Sequence, residues 1–442
     1  MEHDPNKQAL FAAIDRNAAA LEDYLADIQR HPELGFQEVR TAERMASFLT
    51  ALGLHPRTGL AVTGVEAVLD TGRPGPTIAM LGELDAILCR QAPDADPETG
   101  AAHQCGHHVQ QAVLLAVAAA FTQSGVLAHL CGRIKFVGTP AEEAGMFDAA
   151  RLRQEGKIQL PTGKAELIRQ GVFDDVDMAM QMHCWSHAPG PLCLRTVRNL
   201  GSVAISARYQ GRQSHASSEA HNGVHAQFAA MLGVSMVHLL RESFCEADHP
   251  RVHCVMAEGR SDANSIPDTA RVECFVKANN LPALAALQER VLGALRAGAE
   301  ALGAGLELEV RPVMLPMRTD DTLSRLYAEN AAALCPELRL AEQEQQLACS
   351  DLGDVSQLMP VLYPQTGGVD GAGHGVDFRV TDFHAAVLLP AKAFAATLYD
   401  LLCRDAEQAR AVLAAFRPAM DKKTYLEIME HGLATIEKGT IK

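Results

Sequence analysis

Five stretches of the sequence hold His, Cys or carboxylate side chains that could act together. They are His103-Gln-Cys105-Gly-His107-His108, the adjacent pair Glu142-Glu143, His183, His215 and His374. Imidazole and thiolate suit zinc, manganese or a related first-row metal, and paired glutamates can supply one ligand and one free base. Each group also has an ordinary structural reading. A lone cysteine is usually core filler, adjacent glutamates are commonly a solvated face, and a histidine that ends a strand can be a satisfied core residue. Context weighs against those readings here. A Cys-Gly-His start to a helix turns Cys105 and His107 toward one mouth. Glu142 and Glu143 follow an apolar strand and a Thr-Pro turn, where two exposed acids need a reason. His374 lies in GGVDGAGHGVDF, whose glycines let the backbone approach a ligand closely. His187, His221, His225, His253 and His384 lack such surroundings and read as structural or surface groups.

The elements that must position these residues alternate between strand and helix. Apolar residues at helical spacing predict one amphipathic helix over Ala9 to Gln29. Strands follow at Val65–Leu69 and Thr77–Leu81, separated by the turn cluster TGRPGP. A buried helix is expected from Val109 to Phe121, a strand from Arg133 to Val137 ending in GTPAEE, a helix from Ala165 to Gln170 and a strand from Met178 to His183. This order points to an α/β fold, a mixed, largely parallel sheet flanked by helices, in which functional groups gather at strand ends. GELD, GTPAEE and MQMHCW all fall there. After about Arg195 the pattern becomes strand, helix, strand, strand, helix, strand, an α+β unit inserted into the first domain. The expected boundaries are residues 1–195 and 312–442 for the catalytic domain and 196–311 for the insert.

Composition narrows the partners. The chain has 442 residues, a net charge of −15 and 48% hydrophobic residues, which suits a globular protein with a large core. No broad basic surface is left to neutralise phosphates, so nucleic acid is not an expected partner. The longest strictly apolar run, Ala112 to Phe121, is about half of the roughly 20 residues that a bilayer span needs, and no membrane span is expected. The start, MEHDPNKQ, lacks the features of a secretory signal. Eleven scattered cysteines without a CxxC pair argue against a disulfide framework, and the protein is read as cytoplasmic.

The motifs HPELGFQE, GELDAI, HQCGHH, GTPAEEAG, DDVDMAMQMHCW, GRQSHAS, GRSDANSIPD and LACSDLGDVSQLMP occur in an order spanning nearly the whole chain. In this the chain resembles the metal-dependent peptidase and amidohydrolase family of aminoacylases, indole-acetyl amino acid hydrolases and aminobenzoyl-glutamate hydrolases, with a lean toward the last branch. The resemblance implies a zinc-peptidase-like catalytic domain and an inserted lid or dimerisation domain. It implies metal ligands at Cys105, His107, Glu143, His183 and His374, with Glu142 as general base and Asp85 as the carboxylate orienting a ligand imidazole. His215 would reach a neighbouring subunit's active site and stabilise the developing oxyanion, and Asn264 and Arg260 would lie near the substrate's acyl and carboxylate groups. The implied cofactor is a divalent metal, Mn or Zn, at one or two ions per chain, and the implied assembly is a homodimer through the insert.

Two positions depart from the family pattern. His108 stands where an acid or Asn is common, and Trp185 beside His183 offers an aromatic wall, which favours an aromatic substrate carrying a carboxylate. The leading expectation is hydrolysis of an N-acyl or N-aroyl amino acid such as p-aminobenzoyl-glutamate by a metal-activated water. The same water could instead expel ammonia from an electron-poor aryl amine of the nitroanthranilate type. A non-catalytic relative that binds small ligands is a third reading, and the complete set of ligands and base weighs against it.

Overall fold

The computed structural model describes residues 4–186, 188, 190–195, 198–259, 262–335, 339–341 and 346–433, except for the side chains of 194, 195 and 339–341. The chain forms two compact units. One gathers Met1–Val197, Arg318–Glu344 and Asp354–Ala419, and the other Arg198–Met317, Gln345–Gly353 and Met420–Lys442.

The first unit is built on a six-stranded mixed sheet in the order Arg57–Leu60, Gly64–Asp70, Arg133–Thr139, Thr77–Glu83, Met178–Met180, Val361–Leu362. The first three strands pair antiparallel and the rest parallel. The Thr77–Glu83 strand is buried throughout, the condition of a strand covered on both faces. The Ala-rich helix His107–Gln123 packs on it and is buried from His107 to Phe121.

Two elements differ from the sequence reading. The opening segment is two helices, Pro5–Arg16 and Ala18–Gln29, broken at Asn17, whose side-chain amide donates to the Ala13 carbonyl (2.8 Å). Such a local side-chain bond competes with continuing the helix. The expected Met178–His183 strand also splits. Met178–Met180 stays in the large sheet, while His183–Cys184 pairs with Gln365–Thr366 in a second, four-stranded sheet. One stretch, His384–Leu402, is long and apolar enough to cross a bilayer, yet 89% of that window is buried inside the fold, as in a core helix.

The second unit is a four-stranded antiparallel sheet, ordered Arg251–Glu258, Thr269–Ala278, Gly201–Gln210, Gly305–Met314, with helices Ala226–Leu239 and Leu281–Leu302 packed on it. Alternate residues of Thr269–Ala278 are buried, the mark of a sheet covered on one face. The C-terminal helix Lys422–His431 packs on the Gly305–Met314 strand, and Leu200 N–H donates to the Ala348 carbonyl (3.0 Å). These contacts draw residues 346–353 and 420–433 to the insert, beyond the expected 196–311.

Candidate metal centre and its surroundings

Four segments of the first unit converge at the strand ends. Gly106, with φ 90°, turns the chain into the His107–Gln123 helix. A β-carbon there would meet the Phe378 ring at 3.1 Å and Cys184 Cβ at 3.2 Å, so glycine is needed for both conformation and space.

His107 is fully buried, and its Nδ1 lies 2.9 Å from the Asp85 backbone carbonyl and 3.1 Å from Asp85 Oδ1. A carbonyl only accepts, so Nδ1 carries a hydrogen. Asp85 Oδ2 accepts from the Glu143 backbone N–H (2.9 Å). One buried carboxylate therefore orients two of the expected ligand residues, the usual arrangement around a metal-binding histidine. His183 Nδ1 lies 2.8 Å from the Cys184 carbonyl, which leaves Nε2 facing Cys105 Sγ at 3.5 Å. His374 has a left-handed backbone (φ 63°), donates its N–H to the Gln104 carbonyl (2.8 Å) and sets Nε2 2.9 Å from Glu143 Oε1.

The donor atoms fall into groups within 4.8 Å: Cys105, His107 and His183; Cys105, Glu143 and His374; and Glu83, His107 and Glu142. Cys105 belongs to two of them, so its sulfur can serve two neighbouring ions. Burial pushes the Cys105 thiol well above its ordinary pKa despite the opposing His107, so a thiolate there calls for a cation beside it. Burial also raises the Glu143 carboxyl, but His374 and His107 pull it below the ordinary range. The set of one thiol, three imidazoles and a carboxylate suits a first-row divalent metal.

Glu142 is buried at the end of the GTPAEE turn. Ala141 before it has φ 45°, a left-handed conformation that is costly for a residue with a side chain. The turn is held from three sides. Glu38 Oε1 accepts the Ala141 N–H (2.8 Å), while Glu38 Oε2 lies 2.5 Å from Thr63 Oγ1. A β-carbon on Gly163 would sit 1.7 Å from the Pro140 carbonyl oxygen, and one on Gly35 would sit 2.9 Å from Ala141 Cβ. Burial, with the negative charge of Asp85, pushes the Glu38 carboxyl up to about 8.

The sequence reading passed over Glu83, Lys164, Gln110 and Gln181. Glu83 Oε1 accepts from Lys164 Nζ (2.6 Å) and Gln181 Nε2 (2.7 Å), and Oε2 accepts from Gln110 Nε2 (2.7 Å). All four residues are buried. Burial raises the Glu83 carboxyl, but Lys164, His107 and His183 pull it well below the ordinary range. A sequence signal exists for two of them. Glu83 and Asp85 alternate on one side of an extended segment, and His107 and Gln110 are i and i+3 on one helix face.

His108 and His103 are buried with ring centroids 5.0 Å apart, and none of their four ring nitrogens has a protein hydrogen-bond partner. Burial, then the nearby His107 charge, pushes His108 down to about 3, and burial lowers His103 as well. Both rings are thus neutral in the fold but take up protons below about pH 6.5 in the unfolded chain. Their contribution to stability is complete above that pH and lost as pH falls from about 6.5 toward 3. Each proton costs about 1.4 kcal/mol per pH unit in that window. Urea denaturation at pH 7.5 and 5.5 will show wild type losing stability, and His108→Asn losing less by about 1 kcal/mol. Equal losses would mean that His108 is not buried neutral.

Trp185 is half-buried two residues beyond His183, and its backbone N–H donates to the Thr366 carbonyl (2.9 Å). The second unit brings His215 and Asn264 together. The short strands Ser214–His215 and Ser265–Ile266 pair, and Ala216 N–H donates to the Asn264 carbonyl (3.0 Å). Both residues are exposed. His215 Nδ1 accepts from the Ser217 and Ser218 N–H groups (3.1 and 3.2 Å), so Nε2 carries the hydrogen and can donate outward. Arg260 and His187 lie outside the described residues.

A family model described as peptidase family M20/M25/M40 matches residues 82–398. A p-aminobenzoyl-glutamate hydrolase polypeptide of Escherichia coli (strain K12) is 29% identical over 288 residues, 63% of this chain and 55% of that protein. The chain therefore spans little more than half the length of that relative. The Xaa-Arg dipeptidase of Mus musculus is 26% identical over 415 residues, 89% of this chain and 88% of that protein. Among solved structures, the YxeP protein of Bacillus subtilis, described as a dinuclear metal binding peptidase, shares the fold with a TM-score of 0.67. It is 21% identical, and the match covers 88% of this chain and 99% of that one. The matched region runs from the end of the central strand past His374 and takes in every residue of the candidate metal centre, as the motif order implied. The chain belongs to peptidase family M20/M25/M40.

Proposed function

We propose that the protein is a metal-dependent amidohydrolase that cleaves the amide of an N-acyl or N-aroyl amino acid, of the aminobenzoyl-glutamate type. The observation that carries this reading is the convergence of two donor groups on Cys105 Sγ beside the buried Glu142. Cys105, His107, Glu143, His183 and His374 would hold one or two ions, Mn or Zn. Such an ion, when bound, supplies Lewis acidity toward the carbonyl and acidifies a water to a pKa of about 7. Glu142 takes the proton of the attacking water and returns it to the departing amine. Asp85 keeps the His107 hydrogen on Nδ1 throughout. His215 donates Nε2–H to the developing oxyanion from a second copy of the chain, and Asn264 and Arg260 bind the acyl and carboxylate ends. Trp185 gives the aroyl ring an apolar wall. The named E. coli relative supports the aminobenzoyl-glutamate assignment, and the unbridged cysteines fit a cytoplasmic enzyme.

Metal content per chain by plasma mass spectrometry, before and after Mn or Zn reconstitution, tests the centre. A product assay on aroyl amino acids and aryl amines then tests the reaction. One or two ions and release of a free amino acid support the proposal. Ammonia without a new amino acid points to aryl-amine deamination, and no stoichiometric metal overturns the mechanism.

The insert should form the dimer. Phe228, Met231 and Leu239 are exposed on its Ala226–Leu239 helix and Met256 on its edge strand, an apolar set of the kind that marks an interface. Sedimentation should give twice the 47.4 kDa chain mass, and Phe228→Glu combined with Leu239→Glu should give monomers with at least about 10-fold lower turnover. Full activity in a monomeric double variant would remove His215 from the mechanism.

A further inference from the structure

We propose that Glu83 is itself a ligand of the metal centre, through Oε2, beside His107. This rests on reading the site as a metal centre and goes beyond the five ligands assigned above. Each carboxylate oxygen can accept about two hydrogen bonds. Oε1 spends both on Lys164 and Gln181, whereas Oε2 spends one on Gln110. The remaining direction of Oε2 meets His107 Nε2 at 3.0 Å. No hydrogen bond of acceptable geometry forms there, and Nε2 is a buried nitrogen without a hydrogen-bond partner. Nδ1 is turned to the Asp85 carbonyl, which aims Nε2 at Oε2 in a dry interior, and Glu83, His107 and Glu142 there bring ligand atoms within 4.8 Å of one another. Two atoms each about 2.1 Å from one tetrahedral ion are about 3.4 Å apart, so the pair, 3.0 Å apart, would part slightly to seat one.

Lys164 makes such a ligand tolerable. A carboxylate with no exposure costs several kcal/mol to bury unless it is paired. The Lys164 ammonium, also fully buried, neutralises that charge through the other oxygen, Oε1. Lys164 and the two glutamines thus fix the carboxylate with its free lone pair pointing at the site. Gly163 permits the close approach of its helix to the GTPAEE turn.

The test is a crystal structure of the Zn²⁺-loaded wild-type protein with the ion placed by its anomalous signal. Chelator competition for Zn²⁺ by wild type and Glu83→Gln accompanies it. An ion about 2.0–2.2 Å from Glu83 Oε2, and a dissociation constant raised by about 100-fold or more in Glu83→Gln, are expected. The structure of the wild type decides the matter even if the variant fails to fold. An ion beyond about 3 Å from Oε2 overturns the proposal whatever the variant's affinity, since a weakened variant would then show only that Glu83 orients His107. Unchanged Zn²⁺ affinity in a folded variant also overturns it. In both cases the metal-centre reading survives, whereas a wild-type chain that binds no Zn²⁺ or Mn²⁺ overturns both.

Discussion

Glu142→Gln should lower kcat by about 10²- to 10⁴-fold, the usual contribution of a positioned general base, with little change in KM and none in metal content. Glutamine matches glutamate in size, so the Gly35, Gly163 and Glu38 contacts that shape the Ala141 turn are kept. The ability to take a proton is lost. Removing an interaction made in the transition state alone lowers kcat and kcat/KM together. Steady-state kinetics beside plasma mass spectrometry checks both halves of the expectation. Intact turnover would show that another group moves the proton, and lost metal would make Glu142 a ligand.

Cys105→Ala should abolish stoichiometric metal binding. Its sulfur is common to two donor groups, so its loss weakens both positions at once. The fall in affinity should exceed the roughly 10–100-fold typical of changing a residue behind the ligands. Alanine leaves the Gly106 turn and the buried helix intact, so the variant should fold. It should also lose the thermal stabilisation that added Mn²⁺ or Zn²⁺ gives wild type, because an ion bound only to the native state raises stability with its concentration. Metal content after dialysis and melting with and without added ion measure the effect. Full occupancy in the variant would take Cys105 out of the ligand set.

Much of this site is visible in one dimension because its candidate ligands stand beside strand ends that short patterns announce. GELD ends the Thr77–Glu83 strand, and GTPAEE ends Arg133–Thr139. The Leu281–Leu302 helix starts behind an Asn cap and stops at a left-handed Gly303, the usual signals for such ends. The buried cluster around Glu83 is not visible in this way. Glu83, Gln110, Lys164 and Gln181 come from four separate segments, and a polar residue in the sequence reads as surface until its partners are known. The break at Asn17 was hidden for the opposite reason, since the apolar spacing runs on through it while one local side-chain bond decides the outcome. Asp85 was recognisable as an orienting carboxylate, yet only the folded chain shows it serving His107 and the Glu143 backbone together.

The inserted unit divides the candidate ligands along the chain, and this has a consequence during synthesis. Cys105, His107 and His183 all precede the insert, whereas His374 follows it. At about 5–20 residues per second, a ribosome needs roughly 10 to 40 s to pass from His183 to His374. Throughout that interval one group of donors is complete and the other lacks its histidine. The two donor groups are therefore completed in a fixed order, the second only once His374 has been made.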